Sequence, residues 1–205
     1  MGVVSRYNVG GDEADILKNK LGITNPKELE DAETVLLTDS YDYFLKLLEQ
    51  GKLKLNLELL FEIHAYFLGT LYPWAGKIRH VNISKNNAFF APAKQISNAL
   101  KQFELDFKKH KPKVKDSKKD LAKKLAFIHA ELNVIHPFRE GNGRTIRLFL
   151  DLMAVSVGYE LLNFTEVSES DYIEACRKGM LQEYQPLESL FLKLLKKRKI
   201  TRFKS

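Results

Sequence analysis

The chain has 205 residues, of which 44% are apolar, 29% charged and 11% aromatic. These proportions are close to the globular average and exclude a fibrous or wholly disordered protein. Cys176 is the only cysteine, so no intrachain disulfide can form, and there is no run of 18 apolar residues that would predict a membrane span. We expect one cytoplasmic domain over residues 1–205, with its core at about 10–195 and a basic tail at 193–205.

The formal net charge of +7 is concentrated in two segments. Residues 101–124 contain ten lysines and four acidic residues, and residues 193–205 contain seven basic residues and no acidic one. Runs dominated by lysine are usually solvated loops or helix faces, whereas a nucleic-acid groove more often alternates arginine and aromatic residues with the lysines. The charge pattern therefore disfavours nucleic acid as the partner. A basic binding module for nucleic acid or an acidic protein stays open as an alternative.

Apolar periodicity and capping residues predict a mainly helical, all-α fold. An approximate alternation at Ile78, Val81 and Ile83 resumes at Phe89 and Phe90 after turn-forming residues, which predicts one small β-hairpin between residues 77 and 92. Helices are predicted to begin near Pro26, Asn56, Ile96, Asp116 or Ser117, Asn142, Ser168 and Pro186, the last running towards Lys199.

The segment from His136 to Arg147, with the sequence HPFREGNGRTIR, lies between two predicted helices. Its Gly-Asn-Gly turn leaves backbone N–H groups pointing outward, and the next helix adds the positive end of its dipole, so the segment predicts an anion site of the kind that phosphates occupy. Arg144 and Arg147, three residues apart, indicate more than one phosphate group. Glu140 beside phosphates favours a bridging Mg²⁺, and His136 is a candidate general base at neutral pH.

Each of these residues taken alone has an ordinary structural explanation, because a histidine before proline or a Gly-Asn-Gly turn between helices is usually structural. The pattern H-x-F-x-[DE]-G-N-G-R-x-x-R, however, fixes eight residue types at once. At about 5–10% frequency each, these types would match a chain of this length by chance on the order of once in 10⁸ sequences. The combined pattern therefore indicates function.

The pattern resembles the signature of the Fic family. The resemblance extends to residues 17–23, to residues 72–79 and to residues 83–92, which are similar to the family's flap, and it covers about residues 10–195. It implies a Fic-type helical bundle with one small β-hairpin flap beside the active-site loop. Every position of the signature is filled, by His136, Phe138, Glu140, Gly141, Asn142, Gly143, Arg144 and Arg147.

The resemblance also implies a protein adenylyltransferase, which moves AMP from ATP to a Ser, Thr or Tyr hydroxyl of a target protein and releases pyrophosphate. His136 would be the catalytic base, Glu140 would hold Mg²⁺, and Phe138 would anchor the loop in the core. The backbone of residues 141–143, with Asn142, would form the anion hole for the transition state. The nucleotide would be bound by Gly141, Asn142, Gly143, Arg144, Arg147, Lys85, Asn86 and Asn133.

Two protein partners follow from the same resemblance. The flap would bind an extended segment of the target by β-augmentation through Val81, Ile83 and Phe90. Many members are inhibited by a glutamate in the pattern [ST]-x-x-x-E-[GN] that pairs with the second signature arginine, and here the only Glu followed by Gly or Asn is Glu140 itself. We therefore expect a separate small antitoxin that supplies the missing glutamate to Arg147.

Other reactions stay open at this point. Relatives that transfer a γ-phosphate have an altered glycine loop, whereas this chain keeps Gly141, Gly143 and Arg147, which favours AMP transfer over other nucleotidyl or phosphoryl transfer. A metal hydrolase would need two histidines four residues apart on a helix, and His129 and His136 are seven apart.

Overall fold

The computed structural model describes residues 16–85 and 88–198. This part of the chain confirms the predicted fold class, mainly helical with one small hairpin. Short 3₁₀ turns occupy residues 93–95 and 164–166. The elements are α1 (Pro26–Glu49), α2 (Leu57–Leu68), β1 (Ser84–Lys85), β2 (Ala88–Phe89), α3 (Ile96–His110), α4 (Lys118–Ile135), α5 (Asn142–Ser156), α6 (Glu169–Met180) and α7 (Gln185–Leu194).

Four helices begin at side-chain caps that the sequence predicted. Asn25 accepts hydrogen bonds from the N–H groups of residues 27 and 28, just before Pro26 in the first turn of α1. Asn56, Ser117 and Ser168 cap α2, α4 and α6 in the same way. A cap of this kind stabilises a helix by about 1 kcal/mol, because it satisfies a backbone donor that has no acceptor within the helix.

The central helix is α4, which contacts α3, α5, α6 and α7. Its residues Leu121, Leu125, Ile128 and Leu132 are fully buried and lie three or four positions apart, as one face of a helix requires. Helices α1 and α2 pack against each other and against α5. The short connection from α4 to α5 is therefore held between two layers of helices.

The end of the chain differs from the prediction. We expected the last helix to run towards Lys199, but α7 ends at Leu194. The backbone after it is extended, and Lys197 forms an antiparallel bridge with Tyr159. The N–H of Glu160 also donates to the carbonyl of Lys196 at 2.8 Å. Pairing with the segment after α5 thus replaces the final helical turn.

The hairpin is shorter than the sequence pattern predicted. Within residues 77–85 and 88–92, Ser84 pairs with Phe89 and Lys85 with Ala88, and the ladder goes no further. The arms outside these pairs are held by side chains instead of a longer ladder, because Arg79 donates to the carbonyls of residues 81 and 91.

None of the helices among residues 16–85 and 88–198 is long and apolar enough to cross a membrane.

Two buried histidines are neutral parts of the core. The His64 Nδ1 accepts the N–H of Gly76 at 2.7 Å, and its Nε2 therefore carries the proton that it donates to the carbonyl of Glu140 at 2.9 Å. The His129 Nε2 lies 2.8 Å from the Tyr172 hydroxyl. Burial lowers the pKa of His64 to about 4 and that of His129 to about 3.

These shifts predict that the protein loses stability in mild acid. An unfolded histidine has a pKa of about 6.5, so below that pH unfolding takes up protons that the buried imidazoles exclude. Stability should therefore fall as the pH is lowered from about 6.5 towards 4. Asp151 acts in the opposite direction. Burial raises its pKa to about 6, so between that pH and the ordinary pKa of an aspartate the native state holds a proton that the unfolded chain has released.

Urea unfolding of His129→Gln across this pH range isolates one of these contributions. The amide keeps a hydrogen-bonding group near Tyr172 but does not titrate, so the dependence of the unfolding free energy on pH should drop by about 1.4 kcal/mol per pH unit near pH 5. The exposed His80→Asn is the matched control, with an unchanged slope expected. An unchanged slope in His129→Gln would contradict the conclusion that His129 is neutral in the native state.

Candidate active site

The loop from α4 to α5 turns sharply at two left-handed residues. His136 has φ 47° and Gly141 has φ 78°. A Cβ on Gly141 would lie 2.7 Å from Cδ1 of Leu68 and 3.5 Å from Nε2 of His64. Glycine is thus required at position 141 both by its backbone conformation and by the close approach of α2.

Three side chains hold this loop in place. The Asn142 Oδ1 accepts the N–H of Phe138 at 2.9 Å, and its Nδ2 donates to the Phe138 carbonyl at 2.8 Å. The Phe138 ring is fully buried and stacks on His64, with 3.7 Å between the ring centroids. His64 in turn donates to the carbonyl of Glu140. The side chain of Asn142 is therefore engaged within the loop, so a contact of Asn142 with an anion would have to come from its backbone N–H.

His136 is oriented from two sides. Its Nδ1 lies 2.9 Å from the carbonyl oxygen of Asn133, so Nδ1 carries the proton of the neutral ring and the lone pair is on Nε2. The ring stacks on Phe90 of the hairpin arm, with 3.7 Å between centroids and 15° between planes. Burial lowers the pKa of His136 to about 3. A neutral imidazole with its lone pair on Nε2 has the form that a general base requires.

The N-terminus of α5 has the features of an anion site. Gly141 stands at its N-cap position and supplies no capping side chain. The first N–H groups of any helix lack an intrahelical acceptor, and here they belong to Asn142, Gly143 and Arg144. The helix dipole adds partial positive charge at the same point. Glu140 also lies here, buried, with its Oε1 accepting the N–H of Gly141 at 2.9 Å, and burial raises the pKa of its carboxyl group.

The two arginines of the signature reach this helix end from different sides. Arg144 forms a partly buried ion pair with Glu33 of α1, at 2.7 Å, and its other Nη atom lies 3.7 Å from Oε1 of Glu140. The Tyr72 hydroxyl donates to Glu33 at 2.9 Å and fixes that carboxylate. The sequence interpretation missed Glu33, although it lies on the buried stripe of α1, where an acidic residue is unusual.

Arg147 has different neighbours, Phe164 before α6 and Tyr172 on α6. It interacts electrostatically with the Tyr172 hydroxyl, and its guanidinium lies 5.9 Å from the centroid of the Phe164 ring. Its Nη1 is 3.7 Å from the point where a Cβ on Gly143 would be, so the guanidinium also borders the first turn of α5. Tyr172 gave no signal in the sequence, because it lies outside the signature.

Lys85 brings a third positive charge to the site from β1. Burial lowers the pKa of its ammonium group, and the charges of Glu140, Arg144 and Arg147 all act on it. The neighbouring Asn86, also predicted to bind the nucleotide, lies outside the described residues. The structure thus brings Lys85, Glu140 and both arginines together at the N-terminus of α5.

The other predicted residues occupy the surroundings of the loop. Asn133 meets His136 through its backbone carbonyl. Among the flap residues, Ile83 is buried, Val81 offers its carbonyl to Arg79, and Phe90 contacts the imidazole. No group of three or more His, Cys, Asp or Glu side chains that could enclose a metal ion occurs in the described part of the chain.

Comparison with known proteins agrees with this geometry. Residues 54–154 match the Fic/DOC family. The chain is 30% identical over 189 residues to the probable protein adenylyltransferase y4lH of Sinorhizobium fredii, covering 89% of this chain and 95% of that protein. It is 31% identical over 153 residues to the protein adenylyltransferase VbhT of Bartonella schoenbuchensis, covering 73% of this chain but only 31% of VbhT.

Solved structures with the same fold include two effector proteins of Bartonella. BepC of Bartonella tribocorum, with bound AMPPNP, has a TM-score of 0.72 and 23% identity, covering 93% of this chain and 96% of that one. The N-terminal FIC domain of Bep8 has a TM-score of 0.75 at the same identity, covering 94% and 96%. With y4lH matched over nearly its whole length, this chain belongs to the Fic/DOC family.

Proposed function

We propose that this chain is a protein adenylyltransferase that transfers AMP from ATP to a Ser, Thr or Tyr hydroxyl of a target protein. The observation that carries the proposal is the oriented imidazole of His136 beside the uncapped N-terminus of α5, with Arg144 and Arg147 in the first turns of that helix. Relatives named protein adenylyltransferases and the bound AMPPNP of BepC support it. Because the reaction consumes ATP, we expect it in the cytoplasm.

The triphosphate is expected to lie on the first turn of α5. Backbone N–H groups of Asn142 and Gly143 face the α-phosphate, where negative charge grows in the transition state. Arg144 and Arg147 take the β- and γ-phosphates from opposite sides, and Lys85 closes the site from the hairpin. Arg144 is paired with Glu33, so part of its charge is compensated by that carboxylate.

The transfer step requires one base and one leaving group. The target hydroxyl oxygen attacks the α-phosphorus while its proton passes to Nε2 of His136. The bond from the α-phosphorus to the oxygen that bridges the α- and β-phosphates breaks, and pyrophosphate leaves with the electron pair. Because Nδ1 donates to the Asn133 carbonyl throughout, the ring accepts the proton at Nε2 without turning.

Glu140 fits a role in holding Mg²⁺. Its carboxylate is a hard oxygen donor at the phosphate end of α5, and one carboxylate plus phosphate oxygens is a usual Mg²⁺ environment. The ion, when bound, would neutralise charge on the phosphates. Burial of Glu140 raises its pKa, so a cation beside it would favour the ionised form that the ion needs.

The hairpin is the proposed docking edge for the target. Phe89 is 81% exposed on β2, next to Phe90, which contacts His136. An extended target segment pairing with this edge would bring its hydroxyl close to the imidazole. Val81 and Ile83 would contribute through the backbone, since the side chain of Ile83 is buried.

The central experiment compares ATP labelled at the α-phosphate with ATP labelled at the γ-phosphate, incubated with the purified chain in a cell lysate. We expect label on protein only from the α position, with a rate 10² to 10⁴ lower in His136→Ala and ATP binding nearly unchanged. His80→Ala, an exposed histidine, should match the wild type. Label from the γ position would indicate phosphoryl transfer, and full activity in His136→Ala would refute the proposed base.

Arg147 gives a separate prediction about ATP binding. Arg147→Ala removes a charge-assisted contact to the phosphates of about 1.5–3 kcal/mol, so the Kd for ATP should rise about 10- to 100-fold. Arg177→Ala removes a guanidinium from the surface of α6 and serves as the control. Calorimetric titration measures both, with melting curves to show that each variant is folded. An unchanged Kd in Arg147→Ala would remove Arg147 from the site.

We further propose that a separate small antitoxin inhibits the enzyme by supplying a glutamate to Arg147. Among residues 16–85 and 88–198, Arg147 has aromatic and hydroxyl neighbours but no ion pair with a carboxylate, whereas Arg144 already has Glu33. Expressed alone in bacteria, the chain should slow growth, and His136→Ala should restore it. Normal growth with soluble, folded, ATP-binding wild-type protein would argue against this mode of control.

A further inference from the structure

We propose that Arg79 is a positioning residue that holds the backbone of His136 and both arms of the hairpin in one fixed arrangement. The inference rests on the proposed function, since it takes His136 as the base. Arg79 lies outside the family signature, 57 residues before His136. Its side chain is almost fully buried, with the residue 4% exposed.

The guanidinium donates to four backbone carbonyls. Nε donates to His136 at 2.8 Å, and Nη2 donates to Ile135 at 3.4 Å, so one side of the group holds the end of α4. Nη1 donates to Val81 and Nη2 also donates to Ala91, each at 2.6 Å, so the other side holds the two hairpin arms. One side chain therefore joins the catalytic loop to both ends of the flap.

Arginine suits this position for geometric and electrostatic reasons. Its planar group carries five N–H donors that point in different directions, whereas a lysine has three donors on one atom. The last carbonyls of a helix lack intrahelical partners and carry partial negative charge, which a buried cation compensates. At His136 the left-handed backbone turns the carbonyl away from the helix axis, and the Nε of Arg79 meets it there.

The backbone next to the stacked ring is fixed through the same contacts. Phe90, which stacks on His136, precedes Ala91, whose carbonyl Arg79 binds and whose N–H donates to the carbonyl of Val134 at 2.9 Å. The imidazole and its stacking partner are thus both tied to one guanidinium. The anion site on α5 is held separately, by Asn142 and His64.

Because different side chains hold His136 and the anion site, the role of Arg79 can be tested by measuring the transfer rate and ATP binding separately. In Arg79→Lys we expect the single-turnover rate of adenylyl transfer to fall 10- to 100-fold at saturating ATP, while the Kd for ATP stays within 2-fold of the wild type. Backbone hydrogen exchange at Ala91 should become at least 10-fold faster in the chain without ATP. A fall in rate with an equal loss of ATP affinity, or no fall in rate, would overturn the proposal, as would failure of the variant to fold.

Asn82→Ala is the matched control at the same hairpin base. Asn82 accepts the N–H of Ala93 at 2.8 Å, which joins the hairpin to the 3₁₀ turn before α3. Its loss should speed hydrogen exchange in the hairpin but leave the transfer rate within 3-fold of the wild type. A rate loss equal to that of Arg79→Lys would mean that hairpin anchoring alone matters and would contradict the role assigned to Arg79. If the wild type transferred no AMP, the proposed function would fail, while hydrogen exchange would still test the link between Arg79 and Ala91.

Discussion

The loop from α4 to α5 connects two buried helices through six residues, 136–141, and two of these are left-handed, His136 and Gly141. Such a connection leaves backbone groups without backbone partners, and side chains at the start of α5 and on α2 satisfy them. Asn142 binds the N–H and carbonyl of Phe138, and His64 binds the carbonyl of Glu140. The positions of the proposed base His136, of the predicted anion site and of the Glu140 carboxylate all depend on these hydrogen bonds.

The electrostatics of the site follow from burial. Positive charge gathers at the N-terminus of α5, where the helix dipole, Arg144, Arg147 and Lys85 meet. Leaving buried cations without partners would be costly, and the fold offsets this with Glu33 for Arg144 and with the Tyr172 hydroxyl for Arg147. The excess of positive charge at this helix end favours a highly charged anion as the ligand.

The sequence predicted the parts of the site that lie close together along the chain. The signature placed the histidine, glycines and arginines on one loop and one helix because their spacing is local, and capping residues located the helix starts for the same reason. Glu33, His64 and Arg79 were missed because each reaches the site from a distant element. Of the three, Glu33 alone carried a local signal, as an acidic residue on the buried stripe of α1. The hairpin was predicted too long, since a pattern of alternation cannot reveal that Arg79 and Asn82 satisfy the arms. The final helix was predicted too long because a bridge to Tyr159 cannot be inferred from local periodicity.

The account depends most directly on the form of the His136 imidazole, which the carbonyl of Asn133 sets. A long-range ¹H–¹⁵N correlation spectrum of the wild-type chain at pH 7, with His136→Ala used to assign the signal, reports which ring nitrogen carries the proton. We expect a neutral ring with the proton on Nδ1 and the lone pair on Nε2. A proton on Nε2, in either the other neutral tautomer or an imidazolium ion, would leave no acceptor for the target hydroxyl and would contradict the proposed mechanism.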